Sequence, residues 1–236
     1  MMRDYMSDVI SMIDLNQNLP LNQIIYEGLR SAIIHGVIPM GERINEKHYA
    51  QALNVSRTPI REALHRIQNE EIVQYVPNYG IVVTTFTHED VYEIYQIRTA
   101  LDILATTNAM RLMTPEREAC YGDLINGDRS GTMLVGDVEK VIAMSKEFNT
   151  MIYRFAEMPR LETIQNRLRD YIIRFRDISL KADSRRAKAL HEHRLIFRCL
   201  KNNDVEQVQM VITEHLLESR DFILLEMDRQ LQYEKK

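Results

Sequence analysis

Val55-Ser56-Arg57-Thr58-Pro59-Ile60-Arg61-Glu62-Ala63-Leu64 is the most informative run in this 236-residue chain. Read as a helix opening at Ser56, it has an N-cap hydroxyl, and Pro59 falls in the first turn, where a missing backbone N–H costs little. Ile60, Ala63, Leu64 and Ile67 recur at helical spacing on one face, and Arg57, Thr58, Arg61, His65 and Gln68 occupy the other. One side packs; the other offers donors. Arginines at i and i+4 beside a threonine near a helix N-terminus suit a rod entering a DNA major groove, with guanidiniums for guanine edges or phosphates and hydroxyls for phosphate.

The flanking residues extend this reading. Asn45 to Leu53 forms a short amphipathic segment with Tyr49, Ala50 and Leu53 inward, separated from Ser56 by only Asn54 and Val55. That spacing is a helix-turn-helix. Downstream, Ile72 to Val76 and Ile81 to Thr85 are β-rich runs joined through Pro77-Asn78-Tyr79-Gly80, a hairpin with turn residues at its tip. The module is therefore winged. Its candidate DNA contacts are Lys47, Ser56, Arg57, Thr58, Arg61 and Arg66, with Asn78, Tyr79 and Gly80 at the wing.

Pro39-Met40-Gly41-Glu42-Arg43-Ile44-Asn45-Glu46, the decapeptide above and a wing ending in Gly80 together resemble the DNA-binding domain of GntR-family bacterial transcription regulators. An amphipathic helix with chance arginines would not explain the adjoining helix, turn and wing in that order.

Composition sets the frame around this module. A hydrophobic content of 45 % supports a sizeable core in one or two domains. No apolar run approaches the ~20 residues needed to span a bilayer, and Met1 to Leu19 lacks the apolar core of a signal peptide. A cytoplasmic, nucleoid-associated protein without membrane partners is expected. Cys120 and Cys199 belong to no paired motif and read as reduced thiols. The net charge of -4 does not exclude DNA binding, because affinity comes from a few placed cations rather than from the whole-chain sum.

In chain order, residues 1–19 read as a mobile N-terminal arm and residues 20–87 as the winged helix-turn-helix domain. Its packing helix, Leu21 to His35, carries an apolar stripe of Ile24, Ile25, Leu29, Ile33 and Ile34 and stops at Gly36. After Thr87 the β-branched alternation ends. Residues 88–233 have helical period throughout, with helices expected from His88 to Met113, Pro115 to Ile125, Gly136 to Glu157, Arg160 to Leu180, Ser184 to Asn202 and Val205 to Tyr233. With no strands to share, about six helices must pack on one another as a bundle, which the resemblance given next makes an effector-binding and dimerisation domain. The fold class is mainly α.

Tyr92 to Asp102, Phe148, Glu192-His193-Arg194 with Ile196, and His215-Leu216 make this half similar to the all-helical FCD ligand-sensing domain of the FadR subgroup of GntR regulators. That resemblance implies four metal ligands, an Asp and a His four residues apart and two later histidines, holding a divalent ion such as zinc beneath a carboxylate effector. His193 and His215 match the later pair. At the first two positions this chain has Ser145 and Asn149, which puts the metal in doubt. Neutral Ser and Asn are weak metal ligands, and loss of the Asp charge makes the cavity more favourable for an anion. Arg98, Ser145, Asn149, His193 and His215 are accordingly expected to bind a small organic acid directly, with citrate the best single guess. A weak metal held by His193 and His215 and completed by the effector is the alternative.

Each residue also has a bland reading. Arg98 with Asp102 at i+4 makes an intrahelical ion pair, His193 and His215 are core histidines, Tyr95 and Tyr153 are core aromatics, and the 13 methionines are adaptable packing. Three functional classes follow: an effector-responsive regulator that binds a palindromic operator in double-stranded DNA as a homodimer, a non-sensing architectural DNA binder, and a metal-dependent hydrolase. The hydrolase lacks a nucleophile-and-base motif or a complete ligand set.

Overall fold

A computed structural model describes residues 5–126, 138–166, 168, 173 and 183–234, and divides between Phe86 and Thr87 into two compact units. In the first unit, helices α1 (Met6–Ser11), α2 (Leu21–Ile34), α3 (Glu46–Ala52) and α4 (Arg57–Asn69) surround strands β1 (Arg43–Ile44), β2 (Val73–Val76) and β3 (Gly80–Val83). The strands form an antiparallel sheet in the order β1-β3-β2, with Arg43 opposite Val82 and Val76 opposite Gly80. Two residues are too few to carry an alternating pattern, so β1 is not visible in sequence; its pairing with β3 reveals it.

The core is the one the periodicity predicts. Ile25, Leu29 and Ile33 of α2 and Ile60, Ala63, Leu64 and Ile67 of α4 are fully buried together, with Tyr49 of α3 against them. The turn between α3 and α4 is closed by Asn54 at φ 52, with the Asn54 amide donating to Gln51 O and that of Val55 to Ala50 O. This left-handed helix stop suits Asn, and it lets α4 start with only four residues, 53–56, between the helices. Ser56 holds the N-cap position, but its side chain makes no cap hydrogen bond. The expected cap is thus backbone geometry alone.

The start of the chain departs from expectation. Instead of a mobile arm, residues 6–11 are helical and Val9 and Ile13 are buried in the winged unit's core. Gly28 of α2 makes room for them, since a Cβ there would lie 2.3 Å from Ile13 Cγ1. Met6, Val9, Ile10 and Ile13 do recur at helical spacing, a period that the polar stretch after Ile13 hides, but a helix this short is held only by tertiary contact.

In the second unit, α5 (His88–Arg111), α6 (Pro115–Asn126), α7 (Val138–Phe155), α8 (Asp183–Asn202) and α9 (Val205–Glu234) are joined by a further helical run at 159–166. Thr87 and Asp90 form a reciprocal capping box at the head of α5. Asn203, at φ 54, ends α8, and Asp204 accepts from the Gln207 amide to begin α9. Tyr121, Phe148 and Phe155 meet edge to face at centroid distances of 5.7 and 5.3 Å from the tyrosine and centre the bundle core. The expected turn at Asn126 to Gly131 and most of the helix from Arg160 to Leu180 lie outside the described residues.

Candidate functional site

Two surfaces carry the residues singled out in sequence, one in each unit. On the first, Ser56, Arg57, Thr58 and Arg61 are all exposed at the N-terminal end of α4, and Lys47 is exposed on α3. Burial of Ile60, Ala63 and Leu64 forces this outcome, because residues one turn apart share a face. Glu46, in the first turn of α3, joins the two arginines: its Oε2 accepts from Arg57 Nη2 at 3.0 Å and from Arg61 Nη2 at 3.3 Å. Both guanidiniums keep more than half their side-chain surface exposed, at 56 % and 63 %, so the bridge orients them without hiding them. Exposed pairs of this kind contribute little to stability.

Arg66 behaves differently. Nine residues beyond Arg57, and so about 13 Å along the helix, it stacks at 3.7 Å over the Tyr26 ring and donates to Gln23 Oε1 at 2.7 Å. It ties α4 to α2. At the wing, Asn78 adopts φ 62 and Gly80 φ 107, and the Tyr79 ring is half exposed under the Arg43 guanidinium at 5.2 Å. Asn and Gly are the residues that tolerate these angles, which is why the hairpin can be this tight.

The second surface is a cavity within the helical unit, with an empty volume of about 480 Å³ including its mouth. Arg98, Ser145, Asn149, His193 and His215 all line it. Arg98 comes from α5, Ser145 and Asn149 from adjacent turns of α7, His193 from α8 and His215 from α9. Tyr95, Arg185 and Ser219 complete its polar wall. Arg185 went unnoticed in sequence, although its spacing to Ala189 and His193, four residues each, places all three on one helix face. Ser219 follows His215 by the same interval.

The bland readings and the site readings turn out to coexist. Arg98 does pair with Asp102, at 3.8 Å, and it also lines the cavity and lies over the Tyr95 ring at 5.2 Å. Tyr153 and Gln165 both donate to Asp102 Oδ1. Burial pushes the Asp102 carboxyl up, an effect that Arg98 and the Tyr153 hydroxyl oppose. His193 stacks on Phe148 at 4.5 Å and stands 5.1 Å from the His215 ring. Glu192 Oε2 sits 2.5 Å from His215 Nδ1 and 3.0 Å from Arg185 Nη1, while Arg185 Nη2 donates to Ser219 Oγ at 2.6 Å. Burial alone would raise the Glu192 carboxyl; His215 and Arg185 outweigh it and hold the group below the usual carboxylate range.

A divalent metal fits this donor set poorly. The side chains gathered at the expected ligand positions are two imidazoles, one hydroxyl and one amide, and two guanidiniums share the same wall. Among the described residues no carboxylate lines the cavity, and the nearby Asp102 and Glu192 are each paired to one of its arginines. Among the described residues no group of three or more His, Cys, Asp or Glu is arranged to hold a metal ion. The wall is instead a set of cations and neutral hydrogen-bond groups, the chemistry of an anion site.

A winged helix-turn-helix unit followed by an all-helical unit is the architecture of a DNA-binding transcription regulator. Comparison with known proteins makes this specific: residues 21–83 match the model of the gntR family of bacterial regulatory proteins and residues 93–218 that of the FCD domain. The chain belongs to the GntR family of transcription regulators, in its FCD-containing branch. Among relatives, it is 26 % identical to the YdhC HTH-type transcriptional regulator of Bacillus subtilis over 201 residues, which cover 85 % of this chain and 90 % of that protein. It is 28 % identical to the HTH-type transcriptional repressor RspR of Escherichia coli over 206 residues, covering 86 % and 89 %. The gluconate operon transcriptional repressor of Bacillus subtilis matches at 26 % over 189 residues, covering 77 % and 76 %. Among solved structures, Escherichia coli McbR/YncC superposes with a TM-score of 0.69 at 22 % identity, covering 89 % of this chain and 99 % of that one. A Rhodococcus GntR structure gives 0.67 at 22 %, covering 86 % and 97 %. These two share the fold. The hydrolase alternative gives way to the family, whose members are regulators and not enzymes. No described helix is long and apolar enough to cross a membrane.

Proposed function

We propose that the protein is a cytoplasmic, DNA-binding regulator that reads a palindromic operator as a homodimer and is modulated by a small carboxylate held in the helical unit. The DNA contacts are assigned to Lys47, Ser56, Arg57, Thr58 and Arg61 with the wing tip at Asn78, Tyr79 and Gly80. Ser56, whose hydroxyl is not committed to its own helix, is available to a phosphate. Arg66 is assigned a lesser part, because its guanidinium already serves Tyr26 and Gln23.

Dimerisation follows from affinity. One winged unit buries little surface on DNA, whereas two linked units gain from effective concentration and fix the half-site spacing. The effector assignment rests on one observation above the others: the cavity is lined by Arg98, Arg185, His193 and His215, with no lining carboxylate among the described residues. An acid in that cavity changes operator affinity by binding two states of the protein unequally. Repression is the favoured direction, since two relatives are named repressors, one of them for the operon of gluconate, itself a carboxylate.

The test separates the two surfaces. Arg57→Ala and Arg61→Ala each weaken binding to an operator selected from random-sequence DNA by about five- to 150-fold, as expected for loss of a base or paired phosphate contact, with effector affinity unchanged. Arg98→Ala does the reverse. Loss of both activities in every variant overturns the division of labour.

A further inference from the structure

Arg185 is the feature of the cavity that the family pattern does not explain. Its side chain is 6 % exposed, Nη1 is taken by Glu192 and Nη2 by Ser219, and Nε has no hydrogen-bond partner among the described residues. A buried guanidinium N–H left unsatisfied is costly, and in a cavity wall it marks where a ligand oxygen belongs. Ser145 Oγ gives a second, independent sign: the residue is 5 % exposed, lines the same cavity and its hydroxyl also has no partner among the described residues. Glu192 and Ser219 fix the guanidinium plane in advance, so its third edge is presented without further loss of side-chain entropy.

We infer that Arg185 and Arg98, on α8 and α5, are paired anchors for a ligand with two carboxylates, bound without a metal ion. The inference rests on the carboxylate reading above and deepens it. A divalent cation bridging effector and protein needs at least three strong protein ligands, and here two imidazoles stand with a weakly ligating hydroxyl and amide while two guanidiniums share the wall. Each arginine takes one anionic group: Arg185 through Nε, with Ser145 Oγ donating to an oxygen of the same ligand, and Arg98 through a guanidinium that Asp102 approaches only to 3.8 Å. A monocarboxylate satisfies one anchor and leaves the other unserved.

The experiment uses the full chain freed of metal by EDTA, with thermal shift and titration calorimetry against succinate, tricarballylate and citrate, and against butyrate as the matched monocarboxylate. At least one of the polyacids raises the melting temperature, binds at least about tenfold tighter than butyrate, and does so equally with EDTA or with added Zn²⁺. Arg185→Gln weakens that binding by about tenfold or more. Because that variant strips Glu192 of a partner and can misfold, Ser145→Ala serves as a second probe. It keeps or raises the ligand-free melting temperature, having lost a buried unpartnered hydroxyl, and weakens binding severalfold.

Polyacid binding that EDTA abolishes and Zn²⁺ restores overturns the inference, and so does equal affinity for butyrate. Wild-type affinity in both variants overturns it as well. Any of these leaves a carboxylate-responsive regulator standing. No shift from any acid overturns both this inference and the effector half of the proposed function, while operator binding would still report the winged unit.

Discussion

Glu46 carries the charge that DNA repels, yet it sits between the two arginines assigned to read it. The arrangement makes physical sense if the carboxylate trades some attraction for direction, holding both forks in one orientation before contact. Glu46→Gln is then expected to weaken binding to the selected operator by about three- to tenfold while leaving or tightening binding to unrelated DNA, because phosphate attraction is not sequence-specific. Fluorescence anisotropy on the two duplexes measures the ratio; an unchanged ratio would show that the bridge has no role in reading. Glu192 gives a second prediction at this scale. Its carboxyl is held below the usual range in the folded state, so its stabilising contribution is complete above the ordinary glutamate value of about 4.3 and is lost as pH falls through the lower folded value. Asp102, pushed up by burial, works in the opposite sense, because protonation on acidification relieves its burial. Glu192→Gln should therefore flatten the acid limb of melting temperature against pH, and an identical limb in the variant would contradict the assigned pairings. Single residues of this kind were only half legible in sequence. Arg98, His193 and His215 were visible as chemistry-bearing types in family positions, whereas Glu46 and Arg185 act through partners on other helices, Arg57 and Ser219, 11 and 34 residues away, that only the fold brings close.

Elements were more legible than residues wherever they carry enough turns to show a period. Both faces of α4 follow from the spacing of four apolar residues, and α5 follows from the helical period sustained from His88 to Met113. The two short elements did not. β1 has two residues, and α1 has six, held by the burial of Val9 and by Ile13 just beyond it. Gly28 tests the seating of α1. Alanine is the better helix former by about 1 kcal/mol, so local propensity favours Gly28→Ala. Its Cβ, however, would meet Ile13 Cγ1 at 2.3 Å and Met12 O at 3.2 Å. Overpacking of about 1–3 kcal/mol should win. The melting transition of the winged unit is expected to fall by about 5 °C or more. A rise instead would mean that the amino-terminal segment is not seated on α2 in solution.

At the scale of the whole molecule, the proposed function gives the winged unit its partner, DNA, and gives the helical unit the condition under which DNA is bound. The division was legible in sequence as a change from period two to uninterrupted helical period after Thr87, and the units separate at Phe86. What no single sequence displays is the proposed coupling between DNA binding and effector binding, which calls for two states of a dimer and not for any motif. Anisotropy of a labelled operator duplex, titrated with the full chain with and without saturating organic acid, reads that coupling directly. The expected result is two chains per palindrome, affinity that falls steeply with added salt, and an operator Kd moved at least about fivefold by a polycarboxylate such as citrate. Tight binding whose Kd is the same with every acid tested would contradict an effector-controlled regulator and leave a DNA-binding protein that senses nothing.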